Sequence, residues 1–172
     1  REQRNINYFD RPWEQSFAKY RIYGSMADPS LMPMINEAQR DEWYGPGDQL
    51  ALLASEYDDG EAQWMRQQVI NRAGYNLNGP FGYFFYDPNQ VQTAPTDLSW
   101  IATDQDTYFG RSEWANTNAT FVTLKCGLVC GRNAYETYWG NGAVGGWEPS
   151  HFQPEQNAFT LGYGDDYMAQ SA

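Results

Sequence analysis

Apolar side chains recur at helical spacing in the first part of the chain and follow a strand-like pattern in the second. Phe17, Tyr20 and Tyr23, with Ile22 beside the last, fall on one face of a helix. Asp10-Arg11-Pro12-Trp13-Glu14 supplies an N-cap, a proline in the first turn and an acidic residue close behind, and Gly24 supplies a stop, so a helix is expected over residues 11–23. Asp28-Pro29-Ser30-Leu31-Met32-Pro33 then breaks regularity. A second break, Tyr44-Gly45-Pro46-Gly47-Asp48, leaves Asp48 placed to cap a short apolar helix over 49–57. After the turn Asp58-Asp59-Gly60-Glu61, the residues Trp64, Met65, Val69 and Ile70 share one face of a helix over 61–73. Two helices joined by such a turn make an αα-hairpin.

The pattern changes after Asn78-Gly79-Pro80. An aromatic run from Phe81 to Tyr86 ends at Asp87-Pro88-Asn89, and a linker-like stretch containing Thr93-Ala94-Pro95-Thr96-Asp97 follows. Residues 100–103, 107–111, 120–126 and 158–163 are short runs rich in Thr, Val, Tyr and Phe, bounded by Asp, Asn and Gly, and read as strands. Residues 165–169 read as a turn and the opening of another strand. The expected class is α+β, with a helical segment over 1–79, a linker over 80–96 and an antiparallel β part over 97–172. A sheet stopping at Ala172 would leave its last strand unfinished and an edge exposed, so the chain is expected to be a fragment of a longer one.

At 172 residues the chain suits one domain, or the joined parts of two, with a sizeable core. Its formal net charge of −11 argues against nucleic-acid or anionic-membrane partners, which both require clustered Lys and Arg. An anionic sugar would need a local basic or hydrogen-bonding cleft to overcome that field. Aromatics make up 17% of the chain, many beside Gly, Asn and Asp. That mixture suits sugar recognition, rings stacking on pyranose C–H faces while amides and carboxylates take hydroxyls, and it equally suits a Tyr-rich sheet. Cys126 and Cys130, with one histidine in the whole chain, are poor material for a zinc site and read as a small disulfide loop or two free thiols. No stretch is long and apolar enough to span a membrane, and no signal peptide is visible. Asn118-Ala119-Thr120 is an acceptor sequon for N-glycosylation.

That single histidine, His151, lies in Gly145-Gly146-Trp147-Glu148-Pro149-Ser150-His151-Phe152-Gln153-Pro154-Glu155-Gln156-Asn157, directly before the 158–161 strand signal. An imidazole among convergent polar groups at a strand entrance is a candidate acid, base or charge-neutralising group, and equally fits a His satisfied by backbone groups in a turn.

Three features together resemble the heparinase II/III-like polysaccharide lyases. Gly47-Asp48 opening a helix, followed by a helix with Trp64, looks like the last hairpin of that family's α/α toroid. Tyr86-Asp87-Pro88, Pro95-Thr96-Asp97-Leu98, Tyr108-Phe109-Gly110-Arg111-Ser112-Glu113-Trp114, Ala119 and Leu124-Lys125-Cys126-Gly127 follow the order of the family's approach to its β domain, with an Arg-Ser-x-Trp centre. His151-x-Gln153-x-Glu155-Gln156-Asn157-x-Phe159 is similar to its His-x-His-x-Asp-x-x-x-Phe segment. The resemblance runs from Pro46 to Ala172.

It implies the end of an α/α toroid followed by part of an antiparallel β-sandwich. It also implies a secreted or periplasmic carbon–oxygen lyase that cleaves uronic-acid-containing polysaccharide by β-elimination. His151 would neutralise the uronate carboxylate or assist proton abstraction, with the catalytic tyrosine supplied by the remainder of the polypeptide or another chain completing the toroid. Gln153, Gln156, Asn157 and Trp147 would contact an anionic polysaccharide, although Gln153, Glu155, Gln156 and Asn157 equally fit orienting His151 or solvated turn positions, and Trp147 also fits packing under the turn. Arg111 fits either a bidentate fork to a sugar carboxylate or a partner for an internal acid at the domain junction. The family's metal-binding positions read Gln153 and Ser171 here, so no metal or other cofactor is expected. The alternative is a non-catalytic carbohydrate-binding β module with a helical preface. A further alternative is a structural or assembly fragment whose aromatics only pack.

Overall fold

The computed structural model describes residues 7–28, 31, 47–73, 80–114, 116–128, 131–137 and 157–170. The first helix, α1 (Pro12–Tyr23), follows a 3-10 turn at Tyr8–Asp10. Its N-cap is Arg11, without a side-chain capping bond, rather than the expected Asp10. Asp10 is instead held one turn earlier, its Oδ1 accepting from Asn7 Nδ2 at 2.6 Å. Pro12 opens the helix as anticipated, since its missing N–H has no intrahelical partner at that position. At the other end the Gly24 N–H closes on the Tyr20 carbonyl at 3.0 Å.

α2 (Gly47–Tyr57) and α3 (Gly60–Ala73) form the expected αα-hairpin. α2 starts before its expected cap, so Asp48 sits in the first turn instead. Asp58 takes a left-handed backbone (φ 53°) to reverse the chain. Asp59 Oδ1 then accepts from the Glu61 and Ala62 N–H groups at 2.9 and 3.0 Å, capping α3. Residues 80–85, read as the opening of a linker, form a short helix, α4 (Pro80–Phe85), packed against α2. The extended stretch beyond it returns to the hairpin, where the Thr93 N–H donates to the Gly60 carbonyl at 3.0 Å.

The β part is a five-stranded antiparallel meander in the order β1 (Ser99–Ala102), β2 (Thr107–Arg111), β3 (Thr120–Lys125), β4 (Ala158–Tyr163) and β5 (Asp166–Gln170). A short helix, α5 (Arg132–Tyr135), lies between β3 and β4 in the chain. Register assigns each residue a face: Trp100, Phe109, Thr123 and Thr160 lie opposite one another, as do Ile101, Tyr108, Leu124 and Phe159.

The first of these faces turns inward. Phe109 is fully buried, with Trp100 stacked on it at 6.1 Å and Tyr20 meeting it edge-on at 5.2 Å. One hydrophobic cluster therefore joins Ala18 and Ile22 of α1, Leu50 and Leu53 of α2, Met65 and Val69 of α3, and Ala102 and Phe109 of the sheet. Each large side chain buried there contributes roughly 1.5–3 kcal/mol of transfer free energy. The helices and the first two strands share a core.

Candidate functional site

Two ends of the sheet carry the residues singled out in the sequence. At one end β2 finishes with Arg111, whose Nη2 donates to the Ser25 carbonyl at 2.6 Å and to the Met26 carbonyl and Ser25 Oγ at 3.3 Å. These acceptors lie just past the end of α1. The guanidinium also lies 3.7 Å from the centroid of the Trp114 ring, and Trp114 meets Tyr23 and Trp64 edge-on at 5.2 and 5.7 Å. The Trp114 Nε1–H donates to the Asp97 carbonyl at 2.7 Å. Between them, the Ser112 N–H donates to the Thr120 carbonyl and the Thr120 N–H to Ser112 Oγ, closing the β2–β3 connection. Arg111 and Trp114 thus fasten sheet to helices, and Ser112 ties β2 to β3 between them. Backbone carbonyls take the place of the internal acid weighed for Arg111.

Electrostatics at this joint follow from burial. Desolvation pulls the Arg111 guanidinium down to about 10, opposed by the nearby Tyr23. Tyr23 is pushed up to about 12, chiefly by burial and then by the acids Glu61 and Asp97, with Arg111 acting the other way. Glu61 is itself raised by burial and by Asp59.

The opposite end of the sheet is where β4 begins. Asn157 adopts a left-handed backbone (φ 65°), which Asn tolerates better than most residues, and the following Ala158 pairs with Lys125, which pairs in turn with Thr107. Loops next to this end are clamped together. Arg132 Nη2 donates to both carboxylate oxygens of Asp106 at 2.9 Å, and the hydrogen bond and charge of Asp106 raise the Arg132 pKa. The Arg132 N–H donates to the Asp104 carbonyl and the Cys126 N–H to the Asp106 carbonyl. Gly127 approaches so closely that a Cβ there would lie 2.0 Å from the Gln105 carbonyl oxygen. Cys126 is an exposed free thiol.

Of the sequence-assigned site residues, Arg111 and Asn157 are described, and they occupy opposite ends of the sheet. Thr107, level with Ala158, and Arg111 are separated by four residues of β2, about 13 Å of strand. Trp147, His151, Gln153 and Gln156, like Cys130, lie outside the described residues. Among the described residues no group of three or more His, Cys, Asp or Glu side chains is placed to hold a metal ion, and no helix is long and apolar enough to cross a membrane.

Sequence reasoning missed a polar cluster on the hairpin. Arg66 of α3 is 8% exposed, its guanidinium lying 4.1 Å from the Tyr86 ring centroid, and its Nε has no hydrogen-bond partner among the described residues. Asp48 Oδ1 is likewise buried and has no hydrogen-bond partner among the described residues, and Asp48 is close enough to raise the Arg66 pKa against the larger lowering by burial. Arg66 and Tyr86 are too far apart in sequence for any local signal to pair them. Compared with known proteins, the chain matches no family and no curated protein.

Proposed function

We propose that the chain is the junction segment of a heparinase II/III-like polysaccharide lyase, in which the end of an α/α toroid gives way to a β-sandwich. The observation that carries this reading is an αα-hairpin leading into an antiparallel meander through the Arg111-Ser112-Glu113-Trp114 joint, with the His151 segment running directly into β4. Hairpin, joint and histidine segment occur in the order the resemblance requires.

A sandwich is further supported by the outer face of the sheet. Ile101, Tyr108, Leu124 and Phe159 form a continuous apolar row across four strands, each 37 to 55% exposed. A sheet with one solvated face normally alternates apolar-in and polar-out, whereas β3 and β4 place Thr123, Lys125 and Thr160 inside and Leu124 and Phe159 outside. Packing a second sheet over such a face is how sandwiches bury both layers.

β-Elimination removes the C5 proton of a uronate and expels the C4 glycosidic oxygen. The developing enolate dianion makes charge neutralisation at the carboxylate the larger task. In this reading His151 neutralises that carboxylate or assists proton abstraction, Trp147, Gln153, Gln156 and Asn157 contact the sugar, and the catalytic tyrosine comes from the toroid. Arg111 acts through the joint, its Nη2 already committed to backbone carbonyls. An extracellular polymer as substrate places the enzyme outside the cytoplasm. The test is His151→Ala in the polypeptide that contains this chain, followed by the absorbance of the C4–C5 double bond on uronate polymers. The reading expects product from the parent and none from the variant; equal turnover would refute it.

A further inference from the structure

The turn joining β2 to β3 carries the sequon, and its two asparagines serve different ends. Asn116 holds the turn. Its Oδ1 accepts from the Asn118 N–H at 2.8 Å, its carbonyl accepts from the Ala119 N–H at 3.1 Å, and its Nδ2 donates to Glu113 Oε1 at 2.9 Å. This is an Asx turn, in which a short polar side chain takes the place of a backbone acceptor. Asn118 contributes only its backbone. Its side chain is exposed, and the carboxamide makes no hydrogen bond among the described residues.

The rest of the tripeptide is fixed around that amide. Ala119, between the acceptor and its threonine, is 1% exposed, and its carbonyl accepts from the Gly164 N–H at 3.0 Å. Thr120 begins β3 with its N–H on Ser112 Oγ, while its hydroxyl, like the Asn118 amide, makes no hydrogen bond among the described residues. Across the turn stands Gly164, where a Cβ would lie 3.8 Å from Asn118 Oδ1; the glycine leaves that side of the amide open. A group as bulky as a glycan is tolerated in a native fold only where the asparagine that bears it is solvated and makes no bond the fold needs. Asn118 meets both conditions, and Asn116 does not.

We propose that Asn118 is an N-glycosylation site, modified when the chain passes through a lumen that holds an oligosaccharyltransferase. In the transfer, Asn118 Nδ2 bonds to the anomeric carbon of the first sugar of an oligosaccharide carried on a lipid diphosphate. The bond from that carbon to the diphosphate oxygen breaks, the lipid diphosphate leaves, and Nδ2 gives up one proton to a base of the enzyme. Thr120 supplies the hydroxyl that the enzyme reads at the second position after the acceptor. The glycan then stands at the end of the sheet where Arg111 lies, since Arg111 pairs with Phe121, the residue after Thr120. The other end, where β4 begins after Asn157, stays clear. This assignment is independent of the lyase reading.

The experiment is translation of the full chain behind a cleavable signal peptide in the presence of rough microsomes, with the protease-protected product resolved on gels and by peptide mass spectrometry. The expected product migrates more slowly than the unmodified chain. Peptide N-glycosidase should reverse the shift and leave an aspartate in place of the asparagine at position 118. Asn118→Gln and Thr120→Ala should each abolish the shift. In the unmodified chain Asn118→Gln should unfold at the parent's temperature, and Asn116→Ala at a lower one, because Asn116 alone holds the turn with its side chain. Protected parent chain at the unmodified mass, sugar found only on another residue, or a shift that survives Thr120→Ala overturns the proposal. A lowered unfolding temperature for Asn118→Gln also overturns it, by giving the amide a role in the fold.

Discussion

Arg111 shows how a residue that sequence marks as a candidate for substrate is accounted for by the fold. Its stem runs from β2 to the turn after α1, its ring partner is Trp114, and its Nη2 serves two carbonyls. Replacing it by Met removes a charge-assisted hydrogen-bond set and a cation–π contact, and is expected to lower stability by about 2 to 4 kcal/mol in urea unfolding. Lysine is not expected to restore it, lacking the planar fork. Tyr23, beside it, carries the pH dependence. Its folded pKa of about 12 lies above the ordinary 10, so its contribution is fully present below pH 10 and is lost as pH rises toward 12, the unfolded chain giving up the proton first. Tyr23→Phe should flatten the fall in stability across that window, and spectrophotometric titration should lose one phenol titrating near 12.

Among the elements, those with strong local punctuation were legible and those made by packing were not. Pro12 and Gly24 bracketed α1, and alternation with Asp and Gly boundaries gave β2 and β4 as they stand. The aromatic run at 81–86 carries no helical cap, and its helix α4 exists against α2, a contact no local pattern encodes. Asp10 and Asp48 were misplaced as caps because a short polar side chain before an apolar run fits the cap and the adjoining positions alike. Asp59 is the acid that caps, and Asp59→Ala is expected to cost about 1 kcal/mol by chemical denaturation. Gly127→Ala, forced against the Gln105 carbonyl, should cost about 1 to 3 kcal/mol and loosen the clamp at the start of β4. Thermal unfolding followed by circular dichroism distinguishes these from a neutral change.

For the whole molecule, α1 to α4 precede the meander in the chain and α5 falls between β3 and β4, and one core joins helices to sheet. Phe109 touches Tyr20 of α1 and Trp100 of β1, so Phe109→Ala should destabilise by about 3 to 5 kcal/mol. Hydrogen exchange should then rise together in α1 and in β1–β2. A rise confined to the sheet would separate the two parts energetically. The candidate site was legible only as a histidine in a polar setting and as a resemblance. The strand that receives it, β4, is described and begins where expected, while Arg111 belongs to the other end of the sheet. The most direct test of the lyase reading is mass spectrometry of the products made from a uronate polymer in heavy-oxygen water by the polypeptide that contains this chain. Elimination predicts unsaturated oligosaccharides lighter than hydrolytic ones by one water and free of the label. Labelled saturated ends, or no cleavage at all, would contradict it.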